Sequence, residues 1–388
     1  MRVLAALNGL ELFGHERGNI EVFKALREMG AIVRVGVSNQ ENGGDVAIEL
    51  KGLGFETFPV SFGAQWSLMW LKEEGLKFAM VQFKRVFKSS WEFHRQIQEF
   101  QPTHIHLGSP LAYSFISLAL LRWKLPLIWR MGDCPPAESR FNMPIWSAGM
   151  HRASRIVAIS NYVCAEAVEN GVPRDKISLV YNLAPSASDG EWVPPPVLSP
   201  EEYAMIYVGA VSAHKGLIPL VEAYALVCLG HPGLQLWILG ESRWDKEFRE
   251  LLDNRIAELG IVDKVLFAGQ IHDPAPWYAA ASIHVAPSLC EEALGNVVME
   301  AKRAGSPSIA FPSGGLPEMI RHQIDGYVCE AKTSESLAGA INWMLADRGR
   351  LARMRVAARE DCEARFGCGR FMEQWAKVYL DILLPHAP

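Results

Sequence analysis

Short apolar runs closed by glycine, proline or serine recur along the chain, alternating with segments whose apolar positions fall three and four apart. Arg2–Leu7 (RVLAAL) predicts a buried first strand, Asn8–Gly18 a loop, Asn19–Met29 a helix and Val33–Val37 a second strand. Thr103–Gly108, Leu125–Trp129 and Ile156–Ser160 continue the strand series. Ala184–Glu202, rich in Pro, Ser and Asp, reads as a linker between two halves. Beyond it Ala204–Val208 is a strand, and Leu234–Gly240, Val265–Gly269 and Trp277–Ala281 follow. Ser282–Ala286 is a further strand, and after a polar loop a helix opens near Asn296, with Val297, Ala301 and Ala304 on one face. Gly305 stops that helix, Ser308–Phe311 is the next strand, and the loop Pro312–Pro317 leads into a helix holding Glu318. Two amphipathic helices are expected after Glu330, the last at about Arg370–Leu384. The alternation predicts an α/β chain with doubly wound parallel sheets.

From Phe62 to Trp91 the pattern changes. Trp66, Met69, Trp70 and Leu71 are followed by Leu76, Met80, Phe83 and Phe87 at helical spacing, with Lys77, Lys84, Arg85 and Lys88 between them. Two readings stay open. One is a helix lying in a membrane interface through its aromatic face. The other is a helix whose aromatic face meets the core while its basic side is solvated.

Composition narrows the class. The chain has 388 residues, enough for two domains of ordinary size. Its net charge of −5 argues against nucleic acid as a partner. Seven scattered cysteines without a CxxC pair suit a reducing cytoplasm and argue against a zinc site. The start, MRVLAALNGLELFG, lacks a signal-peptide pattern, and the apolar run Ala112–Leu121 is cut off by Arg122 and Lys124. A cytoplasmic protein is expected, with residues 62–91 as the candidate contact to the inner membrane.

The candidate chemistry gathers between Pro287 and Gly326. Two successive strand-to-helix loops there open on the same edge of a parallel sheet, where open α/β sheets bind ligands. A helix beginning at Asn296 and Val297 offers unpaired N–H groups and a positive dipole end to a phosphate, and Gly295 lets a ligand approach the backbone. Glu300 in the first turns of that helix could accept both hydroxyls of a ribose, and Glu292 in the preceding loop the hydroxyls of a second sugar. Ribose, phosphate and hexose together make a nucleotide sugar. The competing reading makes Glu300 a solvated helix carboxylate and Glu292 a partner of the helix dipole.

The series Pro287, Ser288, Glu292, Leu294, Gly295, Glu300, Ala301, Gly305, Pro307, Gly314, Gly315, Pro317, Glu318 and Gly326 resembles the signature of the retaining glycosyltransferases of family four. That family includes bacterial lipopolysaccharide and exopolysaccharide mannosyl-, glucosyl- and galactosyltransferases and sucrose synthase-like enzymes. Leu294 replaces the usual aromatic residue. The resemblance implies the GT-B fold, two doubly wound Rossmann-like domains facing across a cleft. An acceptor-binding domain would span 1–195 and a donor-binding domain 203–368, with a closing helix over 369–388 that crosses back to the first. It implies transfer of a hexose from a UDP- or GDP-sugar to a saccharide or lipid-linked acceptor in cell-surface polysaccharide synthesis. Neither a cofactor nor a metal is expected, and no D-x-D occurs in the sequence.

By the same resemblance the donor would be held by Gly14, His15, Gly209, Lys215, Arg243, Glu292, Leu294, Gly295, Asn296, Val297 and Glu300. Glu292, Lys215 and Asp133 are the catalytic candidates, and Glu16, His106 and Arg130 the acceptor candidates. Three departures stand out. The loop that usually reads G-G-x-E is Phe13-Gly14-His15-Glu16, the usual histidine before Asp133 is Gly132, and the arginine that usually grips the diphosphate is Ala210. Either another cation, such as Arg243 or Arg130, substitutes, or the donor is bound more weakly than usual. Two rival functions follow: a nucleotide-sugar epimerase or sugar phosphorylase on the same fold, and a catalytically silent glycosyltransferase-like subunit.

Overall fold

The computed structural model describes residues 1–63, 68–135, 144–185, 193–199, 201–242 and 245–382. The chain forms two compact units. The first comprises Met1–Leu183 and the chain from Gly369, and the second Ala184–Cys368.

In the first unit the strands are β1 (Arg2–Leu7), β2 (Ile32–Ser38), β3 (Glu56–Val60), β4 (His104–Leu107), β5 (Leu127–Met131), β6 (Arg155–Ala158) and β7 (Ile177–Leu179). All pair in parallel, in the order β3-β2-β1-β4-β5-β6-β7. Val3 to Leu7 are completely buried, as expected of a central parallel strand covered on both faces. The order reverses between β1 and β4, so the loops after those strands diverge and leave a crevice at their carboxyl ends. The first helix begins at Gly14, not at Asn19, because the residues read as a loop already take up its first turn. The helix Cys368–Asp381 places Phe371, Trp375, Val378 and Tyr379 in the core of this unit, at the i, i+4, i+7, i+8 spacing of one helix face. Three helices, not two, follow Glu330: Ser334–Leu345, Arg348–Phe366 and Cys368–Asp381.

The second unit repeats the plan with β8 (Tyr203–Val208), β9 (Leu234–Leu239), β10 (Val265–Gly269), β11 (Ile283–Ala286), β12 (Ser308–Ala310) and β13 (Gly326–Val328), ordered β10-β9-β8-β11-β12-β13. Its reversal lies between β8 and β11. The helix expected around Glu318 is a single 3-10 turn, Leu316–Met319. A buried charge cluster ties this unit's helices together. Lys302 is wholly enclosed, reaches Asp325 at 3.2 Å and Asp361, and donates to the Met319 carbonyl at 2.8 Å, while Arg321 lies 3.1 Å from Asp361.

The segment from Phe62 to Trp91 resolves one open reading. Trp66 lies outside the described residues, as do the side chains of Met69, Trp70 and Leu71. From Gly75 on, where φ is +78° and the helix Leu68–Phe100 is interrupted, Phe93 and Ile97 face the core while Leu76, Met80, Phe83 and Phe87 face solvent. The aromatic face is therefore not a core face.

Candidate functional site

In the second unit the loops leaving β8 and β11 flank the switch point, and each delivers one charge. Lys215 follows β8 and Glu292 follows β11; the Lys215 ammonium meets Glu292 Oε1 at 2.6 Å. Both side chains keep about a quarter of their surface in solvent, 28% and 23%. Ser288 Oγ donates to the same carboxylate oxygen at 2.6 Å, and Cys290 Sγ lies 3.8 Å from it. Burial alone would raise the Glu292 pKa, but the Lys215 ammonium, the Ser288 hydroxyl and the His214 charge outweigh it, so the net displacement is downward. Glu292 is thus held ionised.

The loops are locked to one another. Leu289 N–H donates to the His214 carbonyl at 2.9 Å, and Gly315 N–H to the Glu292 carbonyl at 2.7 Å. Ser313 Oγ donates to the Ser288 carbonyl. Gly314 has φ +53°, and a Cβ there would overlap the Glu292 backbone, with the Glu292 nitrogen only 2.8 Å away. The glycine pair after β12 therefore fixes the Glu292 loop from the next strand.

Beneath the ion pair lie two tyrosines. Tyr207 donates to the Ala210 carbonyl at 2.7 Å, and Tyr278 donates to Glu300 Oε2 at 3.3 Å. Both phenols are pushed well above the usual value, first by burial and then by a carboxylate charge, that of Glu292 on Tyr207 and that of Glu300 on Tyr278. Each tyrosine thus stays neutral and can donate. Asn296 and Val297 open the helix Asn296–Ala304, and its N-cap, Gly295, supplies no side-chain cap. Leu294 is buried, filling the core with an aliphatic group where an aromatic was expected. Gly209 sits at the end of β8, its N–H bonded to the Leu239 carbonyl at 3.0 Å. Arg243 lies outside the described residues.

The first unit gathers its candidates at the equivalent crevice, in a more enclosed cluster. Arg130, on β5, is buried, and its guanidinium donates to Asn182 Oδ1 at 2.7 Å and to the His15 carbonyl at 3.3 Å. Burial lowers its pKa to about 10 against the opposing Glu16 charge, so it remains a cation. Its guanidinium is thus already held by two acceptors within the first unit. Burial and the Arg130 charge hold His15 down to about 4. Burial, Arg130 and His15 hold His106 down to about 3. His106 is fully enclosed, with Nδ1 2.7 Å from the Tyr379 hydroxyl and Nε2 3.1 Å from Asn19 Oδ1. It joins the first and last helices of the unit to β4 and has no path to solvent. Glu16, in the first turn of the helix Gly14–Glu28, is raised by burial, partly offset by backbone N–H groups and Arg130. Asp133 is exposed beyond β5 and accepts from the Cys134 N–H at 2.9 Å.

Gly132 has a steric reason. A Cβ there would lie 2.5 Å from His15 Nδ1 and 2.7 Å from Arg130 Nη1. The space that a histidine at 132 would enter is already taken by the imidazole of His15. The departure at 132 is thus coupled to the histidine at 15.

A profile described as glycosyl transferases group 1 matches residues 190–361, and one described as glycosyl transferase 4-like domain matches residues 14–182. Both halves of the chain thus match glycosyl transferase domains, and the chain has the GT-B fold. The Rhizobium meliloti lipopolysaccharide core biosynthesis glycosyltransferase LpsE is 31% identical over 176 residues, covering 45% of this chain and 48% of LpsE. The Streptomyces bingchenggensis D-inositol 3-phosphate glycosyltransferase is 26% identical over 346 residues, 81% of this chain and 73% of that protein. The chain spans about half the length of the first curated relatives it matches. Among solved structures, Anabaena HepE in complex with UDP superposes with a TM-score of 0.80 at 19% identity, over 98% of this chain and 100% of HepE. The lipopolysaccharide outer core galactosyltransferase WaaB does so at 0.73 and 17%, over 99% of this chain and 100% of WaaB.

For this glycosyl transferase, reading the sequence alone brought Lys215 and Glu292 forward but not the groups that seat them. Ser288 read only as part of the family signature, with no role of its own, and Tyr207 and Tyr278 carried no signal beyond strand and helix patterning. His214 could have been noticed as a second basic group beside Lys215.

Proposed function

We propose that the protein is a retaining, metal-independent glycosyltransferase that moves a hexose from a UDP- or GDP-sugar to a saccharide or lipid-linked acceptor in cell-surface polysaccharide synthesis. The observation that carries this reading is the Lys215–Glu292 pair at the switch point, 2.6 Å apart and open to solvent, beside the start of the helix Asn296–Ala304. Lys215 is a compact point charge that can turn from Glu292 to a diphosphate, and the Asn296 and Val297 amides add dipole attraction. Glu300, oriented by Tyr278, takes the ribose hydroxyls, and the freed Glu292 takes hydroxyls of the hexose. In the reaction the bond from the anomeric carbon to the diphosphate oxygen breaks, and the leaving group keeps the electron pair. The acceptor oxygen bonds to the same face, and its proton passes to the departing phosphate. Lys215 stabilises the charge that develops there. Asp133 and the first-turn residues Gly14, His15 and Glu16 are proposed for the sugar and acceptor.

The names of the relatives support this reading. HepE was solved with UDP and glucose, and LpsE is named for lipopolysaccharide core biosynthesis. A lipid-linked acceptor would also bring the protein to the cytoplasmic face of a membrane. The test is thermal-shift screening against UDP, GDP and ADP. One diphosphate should raise the melting temperature of the wild type and fail to do so for Lys215→Ala and Glu300→Ala. If none of the three stabilises the wild type, the transferase reading falls. The absence of an arginine at 210 would then favour a silent subunit.

A further inference from the structure

The helix that follows Gly75 carries an apolar stripe that the fold leaves uncovered. Leu76, Met80, Phe83, Phe87 and Trp91 are spaced by four, three, four and four residues and so share one face, and each is between 53% and 77% exposed. Val86, Phe93 and Ile97 supply a separate, buried face, so the helix is anchored without the stripe. At 3.6 residues per turn, Lys77, Lys84, Lys88 and Arg95 form the next row round from the stripe. Arg95 lies over the Trp91 ring at 5.0 Å. Between Leu76 and Trp91 there are four cations (Lys77, Lys84, Arg85, Lys88) and no carboxylate, in a chain whose net charge is −5. Glu92, next in line, lies 3.9 Å from Lys88 but turns its carboxylate inward, accepting from the Ser61 N–H at 2.7 Å and the Ser61 hydroxyl at 2.9 Å.

We infer that this face is an anionic-lipid docking surface: the stripe enters the headgroup boundary of a bilayer, and the lysine row pairs with its negative headgroups. The inference rests on the membrane contact proposed above and gives it residues and a lipid charge. Charge complementarity selects the occupant. A second copy of the chain meeting this face about a two-fold axis would set lysine row against lysine row, since such an interface matches a patch with itself. A bilayer of anionic lipid offers apolar depth and negative charge side by side, as an amphipathic helix with a basic flank and aromatic face requires. The segment from Leu76 to Trp91 spans roughly 24 Å at 1.5 Å per residue and would lie along the surface. Among the described residues no helix is long and apolar enough to cross a membrane.

The test is co-sedimentation of the full chain with phosphatidylcholine vesicles that contain or lack phosphatidylglycerol. The wild type should pellet with the phosphatidylglycerol vesicles and release as salt rises. Lys77→Glu/Lys84→Glu/Lys88→Glu should bind roughly 100-fold more weakly, the change that three lysines carry near an anionic leaflet. Phe87→Glu/Trp91→Glu should lose vesicle binding while keeping its circular dichroism. Equal binding to both vesicle types, no binding, or unchanged binding by either variant overturns the proposal. So does a concentration-dependent dimer that Phe87→Glu/Trp91→Glu abolishes. Vesicle binding does not depend on turnover, so this result and that of the diphosphate screen stand or fall separately.

Discussion

The two units share one topology, and at their switch points they hold opposite chemistry. In the second unit the Lys215–Glu292 pair sits at the surface, with both charges hydrogen-bonded and about a quarter exposed. In the first, Arg130 is buried, and His15 and His106 are held neutral around it. An ion pair that keeps contact with water can exchange its partner for an incoming anion at modest cost, whereas an enclosed cation must keep its partners or leave an uncompensated charge. The fold offers a crevice twice. What fills it decides whether the charge at its centre can exchange partners or is committed to the sheet.

The largest expected effect lies on the open side. Lys215→Ala should lower turnover by about 10²–10³-fold, the size of losing one preorganised group on developing negative charge. It should also remove diphosphate stabilisation, while Asn182→Ala in the first unit should leave that stabilisation intact. If both variants lose it equally, the comparison between an open and a braced crevice is broken.

Next comes the loop support. Gly314→Ala would push against the backbone of Glu292 without touching any ligand-facing group. A displacement near 1 Å at a reacting group costs about 10²-fold in rate. The expected outcome is a fall in kcat of that size with a nearly unchanged circular dichroism spectrum. Wild-type kinetics would show that the glycine pair does not position Glu292.

Acid should act on the two crevices at different pH. His15 and His106 lie below their ordinary value of 6.5 in the folded chain, so protons bind more readily to the unfolded chain. Their contribution is intact above about 6.5 and erodes as pH falls toward 4 and 3, reaching about 2 kcal/mol per histidine at pH 5. Glu292 is also displaced downward, but from a lower ordinary value, so its contribution is complete above the carboxylate value of 4.5 and falls only below that. His284 in the second unit is also held down to about 3, so that unit has one such histidine beside the two named in the first. Denaturant midpoints followed from pH 7 to pH 5 should fall for the wild type and fall less for His106→Leu compared with its own value at pH 7. Equal slopes would remove the histidines from the account.

Much of this was legible in the residues, and the exceptions have physical causes. Arg2–Leu7 was bounded as the structure has it, because a central strand buried on both faces forms an apolar run. Glu56–Val60 gave no such run, since an edge strand tolerates Glu, Thr and Pro. Ile177–Leu179 and Gly326–Val328 are too short for a period to show. At the site, Glu292 and Glu300 could be found from their place around a helix start, and Lys215 from the family resemblance. Tyr278 reaches Glu300 across 22 residues, and Ser288 and Tyr207 make bonds within their own segments that only the folded backbone brings about, which no residue pattern encodes. Gly132 looked like a loss until the structure placed His15 against it.

The smallest effect probes the braced crevice directly. Asn182 Oδ1 accepts from Arg130 Nη2 at 2.7 Å inside the first unit. A hydrogen bond to a charged group contributes about 1.5–3 kcal/mol, and Asn182→Ala leaves the Arg130 N–H without that acceptor. Stability should fall by about that amount, read as a lower denaturant midpoint with an unchanged slope. Turnover at a temperature where the variant is still folded should stay within about twofold of the wild type. That split is what a brace predicts, since a brace holds the sheet and touches no reacting atom. If turnover instead falls tenfold or more while the midpoint barely moves, Arg130 acts on substrate through a path this arrangement closes. The two crevices would then differ in degree and not in kind.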